Sequence, residues 1–186
     1  MSTDPNDDQP RLETAAGGRP PAPPLLRPAT AADTPAIAAI LNREIAETTA
    51  TWTSVPKTEA EIAALLAGRR EAGFPVLVAA AGGGPPVAYG ALGPFRPGEG
   101  YASSAEIAVY VAEAARGRGL GGALVEGLAL RAKRRGLTAL VACVDADNAG
   151  SLALFARRGF DPAGRLPGVG RKFGRSRDLA ILLRRL

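Results

Sequence analysis

The 186-residue sequence contains no histidine, one cysteine, one methionine and one tryptophan. Each shortage removes chemistry. Without histidine there is no Ser-His-Asp arrangement, and the usual zinc ligand sets are excluded, so no metal site is expected. The single Cys143 cannot close an internal disulfide, and its place in Leu140-Val141-Ala142-Cys143-Val144 predicts a small buried core side chain. Aromatic residues make up 5% of the chain and are not interleaved among the arginines, as a single-strand stacking platform requires, so nucleic acid is not an expected partner. No apolar run approaches the roughly 20 residues that cross a bilayer. The opening MSTDPNDDQP is acidic and polar, unlike a signal peptide, and the chain reads as cytoplasmic with no membrane partner.

What is present is 46% hydrophobic residues, enough for one core in a chain of this length. The net charge of +5 is uneven: residues 1–24 carry −2 and residues 25–186 carry +7. A basic body suits a ligand bearing several phosphates. Residues 1–24, rich in proline, glycine and charge, read as a disordered tail, and residues 25–186 as one domain.

Within that domain the patterning predicts a strand at 25–28, a helix from Asp33 to Thr48 and a second helix from Thr58 to Glu71. Thr58 and Glu61 form a capping-box pattern, and Gly73 ends the second helix. Strands at 75–80 and 87–95 are joined by a glycine-proline loop at 82–86 and lead to a central strand at 104–111. A helix at 123–135, a strand at 138–144 and a helix at 148–158 follow. Two last strands flank a turn at Pro167-Gly168-Val169-Gly170, the second being 178–183. This order of elements predicts a mixed α/β layer architecture.

The richest stretch is EIAVYVAEAARGRGLGG, Glu106 to Gly122. A β-branched and aromatic run passes through glycines at 117, 119, 121 and 122 into a helix-period pattern. Glycines let the backbone approach a bulky anion, and N–H groups at a helix start meet it with the positive end of the macrodipole. Gly117, Gly119 and Gly122 satisfy G-x-G-x-x-G with Asp145 farther on, the outline of a dinucleotide fingerprint. Ala112 to Arg116 intervene between strand and first glycine, against that reading. The same residues also read as R-x-x-G-x-G from Arg116 to Gly121.

In that second form the loop resembles the acetyl-coenzyme A signature of the GNAT superfamily of N-acetyltransferases. The resemblance covers residues 25–186 and is nearest to the phosphinothricin and methionine sulfoximine N-acetyltransferase branch. It is carried by Thr48-Thr49-Ala50-Thr51-Trp52, Gly93 to Pro97, Glu106 with the Arg116 to Gly121 loop, Asn148 to Leu152 with Gly159-Phe160, and Val169 to Arg175. It implies a mostly antiparallel central sheet flanked by helices, acetyl-CoA as co-substrate, a small amine as acceptor, and a homodimer. Glu106 falls where this branch keeps a general base, and Asp145 is the reserve candidate. A base is required because an ammonium has no lone pair with which to attack a thioester.

The resemblance assigns coenzyme contacts to Val109, Tyr110, Val111, Arg116, Gly117, Arg118, Gly119, Leu120, Gly121 and Gly122. It adds Asn148 and Ser151, of which Asn148 also suits a helix cap. Acceptor contacts fall on Thr49, Trp52, Phe95, Arg96, Lys172 and Arg175, with core packing the other reading of Trp52 and plain solvation that of the basic residues. The chain departs from the branch at five positions. Phe155 stands where a proton donor to the leaving thiolate is common, Ile107 where histidine is, Ala102 and Glu99 where basic residues are, and Ser176 where an aromatic follows the KFGR segment. A catalytically weak coenzyme-binding regulator and a protein N-terminal or lysine acetyltransferase are the competing readings.

Overall fold

The computed structural model describes residues 25–80 and 84–186. The tail reading of residues 1–24, and the part of the 82–86 loop before residue 84, lie outside the described residues. Strands β1 (Leu25–Pro28), β2 (Val76–Ala80), β3 (Pro86–Pro94), β4 (Ser104–Val111), β5 (Ala139–Asp145), β6 (Asp161–Lys172) and β7 (Arg175–Arg185) form one seven-stranded sheet in the order β1-β2-β3-β4-β5-β7-β6. Every pairing is antiparallel except β4 with β5. Among the described residues four α-helices cover it: α1 (Thr34–Glu47), α2 (Glu59–Glu71), α3 (Leu120–Arg134) and α4 (Ala149–Ala156).

Local signals place these elements. The Thr58 hydroxyl accepts from the Glu61 N–H at 3.2 Å, and the Glu61 carboxylate accepts from the Thr58 N–H at 2.9 Å, the reciprocal cap that starts α2. Leu124, Val125, Leu128 and Ala132 recur on one side of α3 and are buried against Leu77, Leu92, Ile107 and Leu140 of the sheet. On the opposite face Ile37 and Ile40 of α1 and Ile62 of α2 pack on Val76, Val78 and Tyr89. The alternation along β4 thus divides its side chains: Ile107 enters the α3 core, while Glu106, Ala108 and Tyr110 face α1 and α2.

The C-terminal hairpin departs from the sequence reading. β6 runs on to Lys172 and reverses at Phe173-Gly174, both at positive φ (51° and 73°), as a two-residue hairpin turn of opposite twist requires. The expected turn at 167–170 is a register shift between Leu166 and Gly170 within β6. α3 begins at Leu120, three residues before the expected start, with Gly121 and Gly122 inside its first turn.

Candidate functional site

β4 and β5 pair only at Ser104 with Ala139, Ala105 with Leu140 and Glu106 with Val141. Beyond Glu106 the two strands part, because β5 turns to pair along its length with β7 while β4 stays on β3. The opening holds a cleft of about 220 Å³ lined by Glu106, Ala108, Tyr110, Cys143, Asp145 and Phe155, with Thr49 to Trp52 forming one wall. A groove of about 790 Å³ continues from it past Val109 and Val111 to Gly117, Gly119, Gly121, Gly122 and the start of α3. Tyr110, Asn148 and Ser151 line both spaces and so mark their junction.

Burial, against an opposing pull from the Arg69 charge, raises the Glu106 carboxyl above the ordinary glutamate value. Burial lifts the Tyr110 phenol to about 12, helped by Glu106 and Glu44, so it keeps its proton; its ring stacks on Tyr89 at 5.1 Å. Cys143 differs from the sequence reading. It is half-buried and lines the cleft, because an inward-facing position on β5 borders the splay rather than the α3 core. Burial and the Glu106 charge both push its thiol up, so it remains a thiol and not a thiolate nucleophile. Phe155 is buried edge-to-face on Phe160 at 5.0 Å and holds no proton to give.

Asp145 is committed elsewhere. Its carboxylate accepts from Arg177 Nε and Nη2 at 2.7 and 2.8 Å, from the Trp52 indole N–H at 3.0 Å and from the Asp147 N–H at 2.9 Å. Burial alone would raise this carboxyl; the donors outweigh burial and leave it lowered, a poor proton acceptor. Trp52 is thereby anchored, and its ring also lies over Gly170, where a Cβ would come within 2.1 Å of it. Lys172 fixes the same wall: it is buried, and its ammonium donates to the carbonyls of Ile45 and Thr53. That ammonium is spent on a carbonyl of α1 and one of the loop that follows it and is not free to hold an acceptor anion. Arg175 is exposed beside the hairpin turn and does not line the cleft. Phe95 and Arg96 follow β3 outside the lining, Arg96 lying 5.4 Å from the Phe95 ring centre.

At the groove's far end, the first backbone N–H of the loop with an acceptor in the chain is that of Ala123, bonded to the Gly119 carbonyl at 3.0 Å. Among the described residues the N–H groups from Gly117 to Gly122 have no partner, a ready anion cradle. Gly117 and Gly119 sit at φ of 76° and 78°, where L side chains are strained. Gly121 serves packing: a Cβ there would lie 3.1 Å from Leu154. The Arg116 guanidinium is taken by the buried Glu44 carboxylate and the Val111 carbonyl, and Arg118 is exposed outside the groove lining. Arg158 brings a cation to the cradle. Its guanidinium crosses Gly122, within 2.2 Å of where a Cβ would be, and its buried Nε has no hydrogen-bond partner. Asn148 caps α4, accepting from the Ser151 N–H at 3.0 Å.

Comparison with known proteins decides what the groove accommodates. The model of the acetyltransferase (GNAT) family matches residues 37–160. The chain belongs to this family. It is 40% identical over 157 residues to the L-methionine sulfoximine/L-methionine sulfone acetyltransferase of Pseudomonas aeruginosa, covering 84% of this chain and 91% of that protein. Among solved structures, a GNAT phosphinothricin acetyltransferase from Sinorhizobium meliloti in complex with acetyl-CoA superposes with a TM-score of 0.85 at 31% identity, covering 88% of each chain. A ribosomal-protein-alanine N-acetyltransferase from Brucella melitensis superposes with a TM-score of 0.84 at 42% identity, covering 87% of this chain and 99% of that one.

The expected fold, enzyme class and co-substrate are those of the GNAT family: this chain is an acetyl-CoA-dependent N-acetyltransferase. Its residues fit the donor, since the partnerless N–H groups before α3 and the orphaned Arg158 nitrogen both call for a polyanion. Sequence reasoning missed Arg158 and Glu44. Nothing in the local pattern of either marks it, and only the packing of α4 on α3, and of α1 on the 116 loop, brings them to the groove.

Proposed function

We propose that the chain acetylates the primary amine of a small amino-acid-like acceptor of the methionine sulfoximine or phosphinothricin type, with Glu106 as general base. The observation that carries this is a carboxylate with a raised proton affinity at the point where β4 and β5 part, lining a cleft that continues into the groove holding the anion cradle. Acetyl-CoA supplies the acetyl thioester. Gly117, Gly119 and Gly122 with Arg158 would hold its pyrophosphate, the free edge of β4 at Val109 and Val111 its pantetheine arm, and Asn148 and Ser151 the junction. Glu106 takes a proton from the acceptor ammonium, directly or through water; the amine nitrogen bonds to the acetyl carbon, and the carbon–sulfur bond breaks. The thiolate leaves without a proton from Phe155, tolerably for a thiol whose pKa is ~8.5, and the second proton of the attacking nitrogen is given up to solvent or to the departing sulfur as the amide forms. Cys143 takes no part as nucleophile, which favours direct transfer over an acyl-enzyme.

The likeness to a ribosomal-protein-alanine acetyltransferase favours a second reading, in which the acceptor is a protein N-terminus. The test is release of free coenzyme A from acetyl-CoA with L-methionine sulfoximine, L-methionine sulfone, L-phosphinothricin, the common amino acids and an alanine-initiated peptide, with products read by mass spectrometry. Acetylation of the free amino acids supports the first reading, and acetylation of the peptide alone replaces it. We further propose a homodimer. Leu166, Val169 and Phe173 on the outer strand β6 and its turn are 42%, 57% and 57% exposed, an apolar surface suited to a second copy. A monomeric mass by light scattering at tens of micromolar with full activity would refute it.

A further inference from the structure

Outside the lining of the cleft, α2 brings toward Glu106 an arginine that no ion pair explains. Arg69 is half-buried, yet among the described residues no carboxylate lies within ion-pair distance of its guanidinium, and it donates no side-chain hydrogen bond. The guanidinium lies over Gly93: a Cβ built on that glycine would be 1.8 Å from Nη1 and 2.3 Å from Cζ. Gly93 is the direct cross-strand partner of Glu106. Side chains at directly paired antiparallel positions share a face with roots about 5 Å apart. The absent side chain of Gly93 is therefore the space in which Arg69 reaches the neighbourhood of Glu106.

We infer that Arg69, admitted by Gly93, receives the carboxylate of the acceptor and so selects free α-amino acids over amines that lack one. This rests on the acetyltransferase reading above. In an α-amino acid the ammonium and carboxylate share one carbon and lie ~3 Å apart, close enough for the nitrogen to meet Glu106 while the carboxylate meets the adjacent guanidinium. Such a fork-to-carboxylate contact is the geometry arginine provides best. The short turn at Glu99–Tyr101 and Ala102 carries no cation, Lys172 is occupied by backbone carbonyls, and Arg96, lying over the Phe95 ring, acts on Cys143 rather than on Glu106. A cation from α2 fills that role from a different element. The Arg69 charge already acts on Glu106, which places the two in one electrostatic neighbourhood.

The test pairs L-methionine sulfoximine with its α-carboxamide, which keeps the amine and side chain but carries no carboxylate. In the wild-type enzyme the acid should have the higher kcat/KM. Arg69→Ala should cut the acid-to-amide ratio about tenfold or more, mainly through the KM of the acid, as expected for loss of a charge-assisted bond. Arg69→Lys should restore part of it. Gly93→Ala, which displaces the guanidinium without removing it, should lower the same ratio, and the two changes combined should be no worse than Arg69→Ala alone. Equal losses for acid and amide, or none for either, would overturn the inference. If the wild-type enzyme acetylates neither compound, the function reading fails, and thermal stabilisation decides Arg69 separately. Stabilisation by the acid alone, lost in Arg69→Ala, upholds the carboxylate site, and equal stabilisation by both refutes it.

Discussion

Replacing Glu106 by Gln keeps the shape and removes the ability to take a proton, so it isolates the base. The carboxylate lies at the floor of a cleft where burial raises its proton affinity and Arg69 partly offsets the rise. A base held above the ordinary glutamate value is better matched to an ammonium than a solvated one, and removing a positioned base costs roughly 10²- to 10⁴-fold in turnover. We expect Glu106→Gln to lose at least ~10²-fold in kcat at neutral pH with the KM for acetyl-CoA little changed. In the wild type, kcat/KM should fall on acidification with a midpoint above the ordinary glutamate pKa, and the variant should lose that limb. The sign for stability is opposite to the sign for activity. A carboxyl whose folded pKa is raised binds more protons folded than unfolded, so it costs stability as pH rises through that window. Glu106→Gln should thus leave the melting temperature at neutral pH unchanged or higher while activity collapses. Measurements are coenzyme A release from pH 5 to 9 and thermal unfolding at neutral pH. Near-normal turnover in Glu106→Gln, with loss in Asp145→Asn, would refute the assignment.

Arg158→Ala should raise the KM for acetyl-CoA about tenfold or more while leaving the use of a thioester that lacks the nucleotide and phosphates, such as S-acetyl-N-acetylcysteamine, far less affected. Gly119→Ala should raise the same KM severalfold and cost about 1–2 kcal/mol through left-handed strain, checked by steady-state kinetics and urea unfolding. Gly121→Leu should instead act chiefly on stability, because its side chain would press on Leu154. Arg177→Ala removes the ion-pair partner of a carboxylate whose side chain is 1% exposed, leaving it only the Trp52 and Asp147 N–H donors, and should lower the midpoint of denaturant unfolding at neutral pH. Because the Asp145 carboxyl is lowered, the stability it lends is present above its unfolded pKa and is lost as pH falls through the folded one; the variant should lack this acid sensitivity.

The elements that hold the site were legible because each carries a local signal. The Thr58 and Glu61 cap, the period change at Gly117 to Gly122 and the alternation of Glu106, Ala108 and Tyr110 depend on residues close in sequence. Gly168 and Gly170 drew the turn to the wrong place, since glycine marks a bulge as readily as a reversal; Phe173-Gly174 is the turn because only it returns the chain in register with β7. A motif position does not reveal how the fold engages a basic side chain. Arg116 and Lys172 occupy motif positions, yet their charges are absorbed by Glu44 and by backbone carbonyls. Arg69 and Arg158 belong to no motif, and each reaches its place across a glycine that is far off in sequence.

Glu44 shows why those absorbed charges matter to function. Its carboxylate is buried, with one oxygen accepting from the Arg116 guanidinium at 2.5 Å and the other from the Thr48 hydroxyl at 2.8 Å. A buried carboxylate left without donors is costly, so each partner helps to hold the other's neighbour in place. Arg116 ends the stretch that leads into the phosphate cradle, and Thr48 begins the segment that carries Thr49 and Trp52 along the acceptor cleft. One carboxylate on α1 therefore ties the two loops on which the two substrates would rest. The Trp52 end of the same segment is fixed independently through Asp145 and Lys172. Both walls of the opening between β4 and β5 are thus set by charges paired within the chain, while among the described residues Glu106 in the cleft and Arg157 and Arg158 along the groove have no ion-pair partner.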